Sequence, residues 1–264
     1  MSAIPHQAKA SESFTWLVRL GLLAYGVVHI LIGWLAIQLA FGDSEGSPDK
    51  GGALQTLSDT PLGTPLLWVL VLGFVALVIW QLAEAAVGHE DEDDDKKRTA
   101  KRALSAGKAV VYAFIGYSAA KVAGGGSSGS GSSTEESLTG KLMDAPLGQG
   151  LVGLVGLAIL ALGVGLAVYG WKEKFTKHLS GSGQTIVRLG KVGYIAKGFA
   201  FGVLGVLFIT AAINHDPKKG GGLDDALKTM LDQPYGPVLV TAVGLGIAAY
   251  GVYCFARARD LRDA

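Results

Sequence analysis

The sequence predicts an all-α membrane protein of six transmembrane helices, built as three parallel two-helix repeats with pseudo-threefold symmetry. Three observations predict it. Half of the 264 residues are hydrophobic and 39 are glycine, with a mean hydropathy of +0.39, which is typical of polytopic membrane proteins rather than of one soluble domain. Apolar runs close to the ~20 residues that a spanning helix needs recur along the chain. Finally, the chain repeats itself three times. A net charge of +1 leaves no global field to recruit nucleic acid, so no nucleic-acid partner is expected and the lipid bilayer is the first partner.

Residues 1–15 are polar and read as a cytoplasmic tail. The run from Trp16 to Phe41 is longer than the apolar core of a signal peptide, so it reads as a retained span. Five apolar stretches are clear: Leu20 to Phe41, Leu66 to Val87, Leu151 to Trp171, Gly193 to Ile213 and Val238 to Ala256. A sixth, Ala103 to Ala123, is interrupted by Lys108 and bounded by Lys121. The boundaries that follow are 16–88 for the first repeat, 89–101 for a charged cytoplasmic loop and 102–173 for the second repeat. A second cytoplasmic loop takes 174–187, the third repeat 188–257, and a C-terminal tail 258–264.

The repeat is what makes the sixth stretch a span. "RLGLLAYGVVHILIG" (Arg19 to Gly33), "RALSAGKAVVYAFIG" (Arg102 to Gly116) and "KVGYIAKGFAFGVLG" (Lys191 to Gly205) align without a gap, each with a cation first and glycine last. Each second helix follows an aspartate, a proline and a glycine at fixed spacing: Asp59, Pro61 and Gly63; Asp144, Pro146 and Gly148; Asp232, Pro234 and Gly236. "GVGLAVYG", ending at Gly170, resembles "GLGIAAYG", ending at Gly251, but stands seven residues later, which predicts a longer or more tilted second helix in the second repeat. Two-span units return the chain to its starting side, so all three insert in the same direction. Cations concentrate in the tails and in the loops around Lys96 to Arg102 and Lys172 to Arg188, which predicts that both termini face the cytoplasm.

Short apolar and polar alternations precede each proline, at Leu54 and Leu57, at Leu138 and Leu142, and at Leu227 and Met230. They predict small helices along the outer interface, roofing the bundle. The proline then suits the first turn of the second span, with the aspartate capping or turning the chain. "GGGSSGSGSS" (Gly124 to Ser133) is linker composition, and "HEDEDDDKKR" (His89 to Arg98) is a solvated charge block without the glycine and spacing of a calcium loop. Ser105 and Lys108 have the spacing of a catalytic dyad, yet the matched positions are Leu22 and Tyr194, and no supporting element accompanies them. "GSGQ" after Ser180 and "GK" at Gly190 lack phosphate-loop spacing. Cys254 is a lone thiol in an apolar run and reads as a packing residue. Nothing in the chain calls for a metal or a cofactor, and an enzyme is the least supported class.

The cation, the "GVVHILIG" or "KAVVYAFIG" run, and the spaced aspartate, proline and glycine, three times over from Arg19 to Arg257, resemble the bacterial membrane family called domain of unknown function 1206. The resemblance implies a six-helix integral membrane protein and carries no reaction with it. Tyr25 departs from the pattern, since the other units have Lys108 and Lys197 there.

His29 is matched by Tyr112 and Phe201, with Tyr25, Lys108 and Lys197 one turn closer to the cytoplasm on the same face. Its depth of about 15 Å sets it near the midplane. A neutral imidazole bonded to a neighbouring helix and a working site are both open there. At about 9 Å, Lys108 and Lys197 either snorkel to the interface or point inward and pair with Glu84. In the second case these residues line a cytoplasm-facing vestibule closed above by His29, Tyr112 and Phe201. Two functions follow: a protein that binds or passes a small solute or lipid along the axis, or a noncatalytic scaffold or accessory subunit whose glycine-rich faces receive a membrane-protein partner or a second copy.

Overall fold

The computed structural model describes residues 12–42, 46–88, 94–127, 131–179, 183–217 and 220–260. Most of both terminal tails, the first half of the charge block and part of the glycine and serine linker lie outside them, as do Lys218 and Lys219. Among the described residues the protein is entirely helical: α1 (Glu12–Phe41), α2 (Lys50–Ser58), α3 (Gly63–Val87), α4 (Asp95–Ala123), α5 (Gly131–Met143), α6 (Gly148–Trp171), α7 (Gln184–Asn214), α8 (Leu223–Leu231) and α9 (Gly236–Asp260), with a 3₁₀ turn at Lys174–His178. α1, α3, α6, α7 and α9 are long and apolar enough to cross a membrane. α4 has 29 residues but does not join them, because Lys108 and Lys121 dilute its apolar run.

The aspartate, proline and glycine segment makes a hinge between each short helix and the long one after it. Asp59 and Asp232 are the C-cap residues of α2 and α8, their N–H groups donating to Gln55 O and Lys228 O at 3.2 and 3.1 Å. The chain then turns: Gly63, Gly148 and Gly236 donate to the carbonyls of Thr60, Ala145 and Gln233 at 2.8, 2.9 and 2.8 Å. Each proline occupies the second position of this turn, where its fixed φ is already right. The third position is left-handed at Leu147 (φ 64°) and Tyr235 (φ 62°), and right-handed at Leu62 (φ −105°). The motif's proline therefore stands before the helix and not in its first turn, a correction to the sequence reading. That first turn is filled by Pro65 in α3 and Pro237 in α9, where a missing N–H costs no intrahelical bond. Glycine closes the motif because a β-carbon at Gly63, Gly148 or Gly236 would fall on the carbonyl oxygen of Leu57, Leu142 or Leu231.

The long helices touch in the order α6, α7, α9, α1, α3, α4. Two of these seams are made by glycine pairs. A β-carbon on Gly26 would lie 2.8 Å from Gly251 O and one on Gly33 2.5 Å from Gly244 O, which draws α1 onto α9. In the same way one on Gly198 would lie 2.6 Å from Gly163 O and one on Gly156 3.0 Å from Gly205 O, which draws α7 onto α6. In lipid there is no hydrophobic force between helices, and such backbone approach supplies the van der Waals contact instead. Gly156 and Gly163 stand eight and fifteen residues after Gly148, as Gly244 and Gly251 stand after Gly236. The second helices are thus in register from the motif onward, and α6, at 24 residues, is no longer than α9 at 25. The seven-residue offset read from "GVGLAVYG" is a correction: glycines spaced by seven make a shifted alignment look as good as the true one.

α2 and α8 bury Leu54, Leu57, Leu227 and Met230 in one core with Leu35, Leu67 and Val240, at the end of the bundle away from the termini. Thr139 of α5 donates to Gly220 O at 3.2 Å and joins the segments that follow α4 and α7. Within α8, Lys228 bonds the buried Asp224 carboxylate at 2.7 Å, which raises the lysine pKa. On the lysine's side, a raised pKa means the contribution is full below its ordinary 10.5 and is lost as pH rises through the higher folded value.

Candidate functional site

The middle of the bundle is an aromatic stack, assembled because α1, α3, α4, α7 and α9 each direct a ring inward. Tyr25 is its hub: its ring lies 5.4 Å from Tyr112, 6.5 Å from Phe74, 6.2 Å from Tyr250 and 4.2 Å from His29. Tyr250 continues it to Tyr194 at 5.1 Å, and Tyr194 to Phe175 at 5.3 Å. Most of these pairs are tilted or edge-on, the arrangements that suit the ring quadrupoles.

Lys197 enters this stack from α7. Its Nζ donates to Tyr25 OH at 3.3 Å, lies 3.1 Å from His29 Nε2 and sits 3.9 Å from the centre of the Tyr250 ring. His29 Nδ1 lies 2.8 Å from the Tyr25 backbone carbonyl, one turn earlier. A carbonyl only accepts, so the hydrogen is on Nδ1 and a neutral ring presents the Nε2 lone pair to Lys197. The lysine is thus held by a ring nitrogen, a hydroxyl and an aromatic face. Pairing of Lys197 with Glu84 and snorkelling to the interface are both replaced by this inward geometry. His29 thus meets a neighbouring helix through Lys197.

Lys108 does not enter the stack. It is exposed, on the side of α4 that also carries the buried Ser105 and Ala109 and the half-buried Tyr112. It lies within electrostatic reach of Glu84 on α3 and of Arg257 on α9. The structure therefore splits the expected vestibule residues. His29, Tyr25, Tyr112 and Lys197 gather at the centre, Lys108 and Glu84 stand together nearer the termini, and Phe201 packs against the main core.

In the sequence Arg257 stands only as one of the cations at the C-terminal end. It is half-buried and within electrostatic reach of Tyr25, Tyr112, Tyr169, Tyr194, Tyr250 and Tyr253, which puts it at the terminus-side mouth of the stack. Its signal was present, since Tyr250, Cys254 and Arg257 are spaced by four and three on one face of α9. Tyr250 and Phe74 were missed for a different reason: an aromatic in an apolar run has no sequence mark that tells stack from packing. Chemically, the mouth presents Arg257 and Lys108 among phenols, with Glu84 as the nearby carboxylate, an environment that favours a phosphate or other oxyanion.

The chain is 31% identical over 241 residues to a protein of Bacillus subtilis (strain 168) described as "Uncharacterized protein YxxB", over 89% of this chain and 86% of the relative. No solved structure matches it. Residues 20–88, 104–173 and 192–260 each match the family described as Domain of Unknown Function (DUF1206), three copies that take in both long helices of every unit, and the chain belongs to that family.

Proposed function

We propose that the protein is a multi-pass protein of the bacterial cytoplasmic membrane that binds or passes a small solute or lipid on the axis between three repeats. In this reading α4 is a sixth span, the units are related by an approximate threefold axis, and both termini are cytoplasmic. What supports it is one observation: Lys197 is buried in, and Arg257 stands at the mouth of, a stack whose rings come from five helices, with Lys108 of the second repeat within electrostatic reach of Arg257. Ionisable side chains inside a bilayer are costly, and their convergence inside a bundle is the usual mark of a site. The stack closes the axis, so binding needs no rearrangement, whereas passage needs Tyr25 and Tyr250 to part.

The test is native mass spectrometry of the protein purified from its membrane, for the wild type, Lys197→Met and Arg257→Gln. A bound small molecule or lipid retained by the wild type and reduced in either variant supports the reading. A wild type that retains no small molecule or lipid, or one whose retention neither Lys197→Met nor Arg257→Gln reduces, overturns it. The second reading, a scaffold or accessory subunit, draws on α6, which packs closely along one stripe only, at Val152, Gly156, Gly163 and Gly170. A protein that copurifies stoichiometrically and is released by Leu154→Lys on the exposed side of α6 would favour it.

A further inference from the structure

We infer that the cleft between α4 and α6 admits an anionic phospholipid, whose headgroup rests on Arg257 and Lys108 while its acyl chains lie along α6. This rests on the binding reading above and names its ligand and its route. The repeat makes the cleft conspicuous. In the first and third units the two long helices pack together, α1 on α3 and α7 on α9, whereas α4 and α6 of the middle unit scarcely touch. Both helices carry bare surface that is apolar and thin. On α6, Leu154, Leu157 and Leu162 are exposed, and a β-carbon on Gly165, or on Gly107 of α4, would meet nothing within 4 Å. Because α4 and α6 run in opposite directions, Gly107 and Gly165 both belong to the terminus-side half of their helices.

Charge at that same end selects the occupant. Lys108 is exposed beside Gly107, and Arg257 is within electrostatic reach of Lys108 and of Tyr169, which stands four residues after Gly165. Among the described residues no hydrogen bond or ion pair of the Lys108 ammonium or the Arg257 guanidinium is found, so both have donors to offer. Glu84 offsets one of the two charges. A phosphodiester can accept from the guanidinium fork and from phenol hydroxyls, and its chains would fill the hydrocarbon-lined gap that a free anion would leave empty. Trp171, exposed at the end of α6 with the Lys191 ammonium 5.2 Å from its ring centre, marks the level of the headgroups.

The experiment titrates the full-length protein with phosphatidylglycerol and with phosphatidylcholine of the same acyl chains, and counts retained lipid by native mass spectrometry. Phosphatidylglycerol should bind about tenfold more tightly, a preference that Arg257→Gln and Lys108→Gln each reduce severalfold. Lys108 is exposed, so its variant reports binding even if Arg257→Gln fails to fold. Gly165→Phe, which fills open space, should block both lipids. Equal retention of the two lipids, or unchanged binding in Gly165→Phe, overturns the inference. Glycerol phosphate competing as well as the whole lipid would show a solute site open to water and would also overturn it. A bound solute that Lys197→Met removes, without lipid preference, would end this inference and leave the binding reading standing; absence of any bound species would end both.

Discussion

At Lys197 an ammonium is held by His29 Nε2 at 3.1 Å and by aromatic surface. His29→Phe, which copies the residue at the matched position of the third repeat, would leave the lysine without its ring acceptor and cost about 1–3 kcal/mol. Adding Lys197→Met should restore most of that, so that the double variant is more stable than the sum of the singles predicts; thermal unfolding in detergent measures this cycle. A second residue-scale prediction concerns glycine. Gly236→Ala puts a methyl on the Leu231 carbonyl and should cost about 1–3 kcal/mol, whereas Gly165→Ala, in open space within a helix, should gain roughly 0.5–1 kcal/mol. The Tyr25 and His29 pairing could be read directly from their spacing of four on one helix. The third member could not, because the direction of a lysine at residue 197 depends on how α7 is turned against α1, and no local pattern fixes that rotation.

Among elements, the glycine pairs make a prediction that a generic coiled contact would not. Gly251→Leu should push α9 away from α1 and expose the stack, raising the labelling rate of Cys254 by a thiol reagent several-fold, while Gly165→Leu should leave that rate unchanged. Five of the long helices were legible from apolar length alone. α4 was legible only as a copy of its neighbours, since its lysines cancel the hydropathy signal that lipid-facing residues supply. The short helices α2 and α8 were legible from paired leucines, but their junctions were not. The hinge depends on a backbone turn with left-handed residues at Leu147 and Tyr235, and nothing in a leucine or tyrosine announces that conformation. The mistaken register of α6 has a related cause, as a spacing of seven returns nearly to the same helical face and hides a two-turn slip.

For the whole molecule the decisive prediction is topological. With α4 as a span, single cysteines at Ser11 and Ala264 should react with an impermeant reagent only from the cytoplasmic side, and one at Ser127 only from outside. A five-span chain would put the two ends on opposite faces. The pattern of repeats could be seen in the sequence; that the middle unit gapes while its neighbours close could not, because all three carry the same motif and differ in how their faces meet. The seam between α1 and α9 has a further consequence in time. Tyr250 and Arg257 belong to α9, a segment of 25 residues made long after α1, and they complete a stack begun by Tyr25. Until α9 is made, Tyr25 lacks its Tyr250 neighbour, so that a product truncated before α9 keeps most of its long helices and lacks part of its centre.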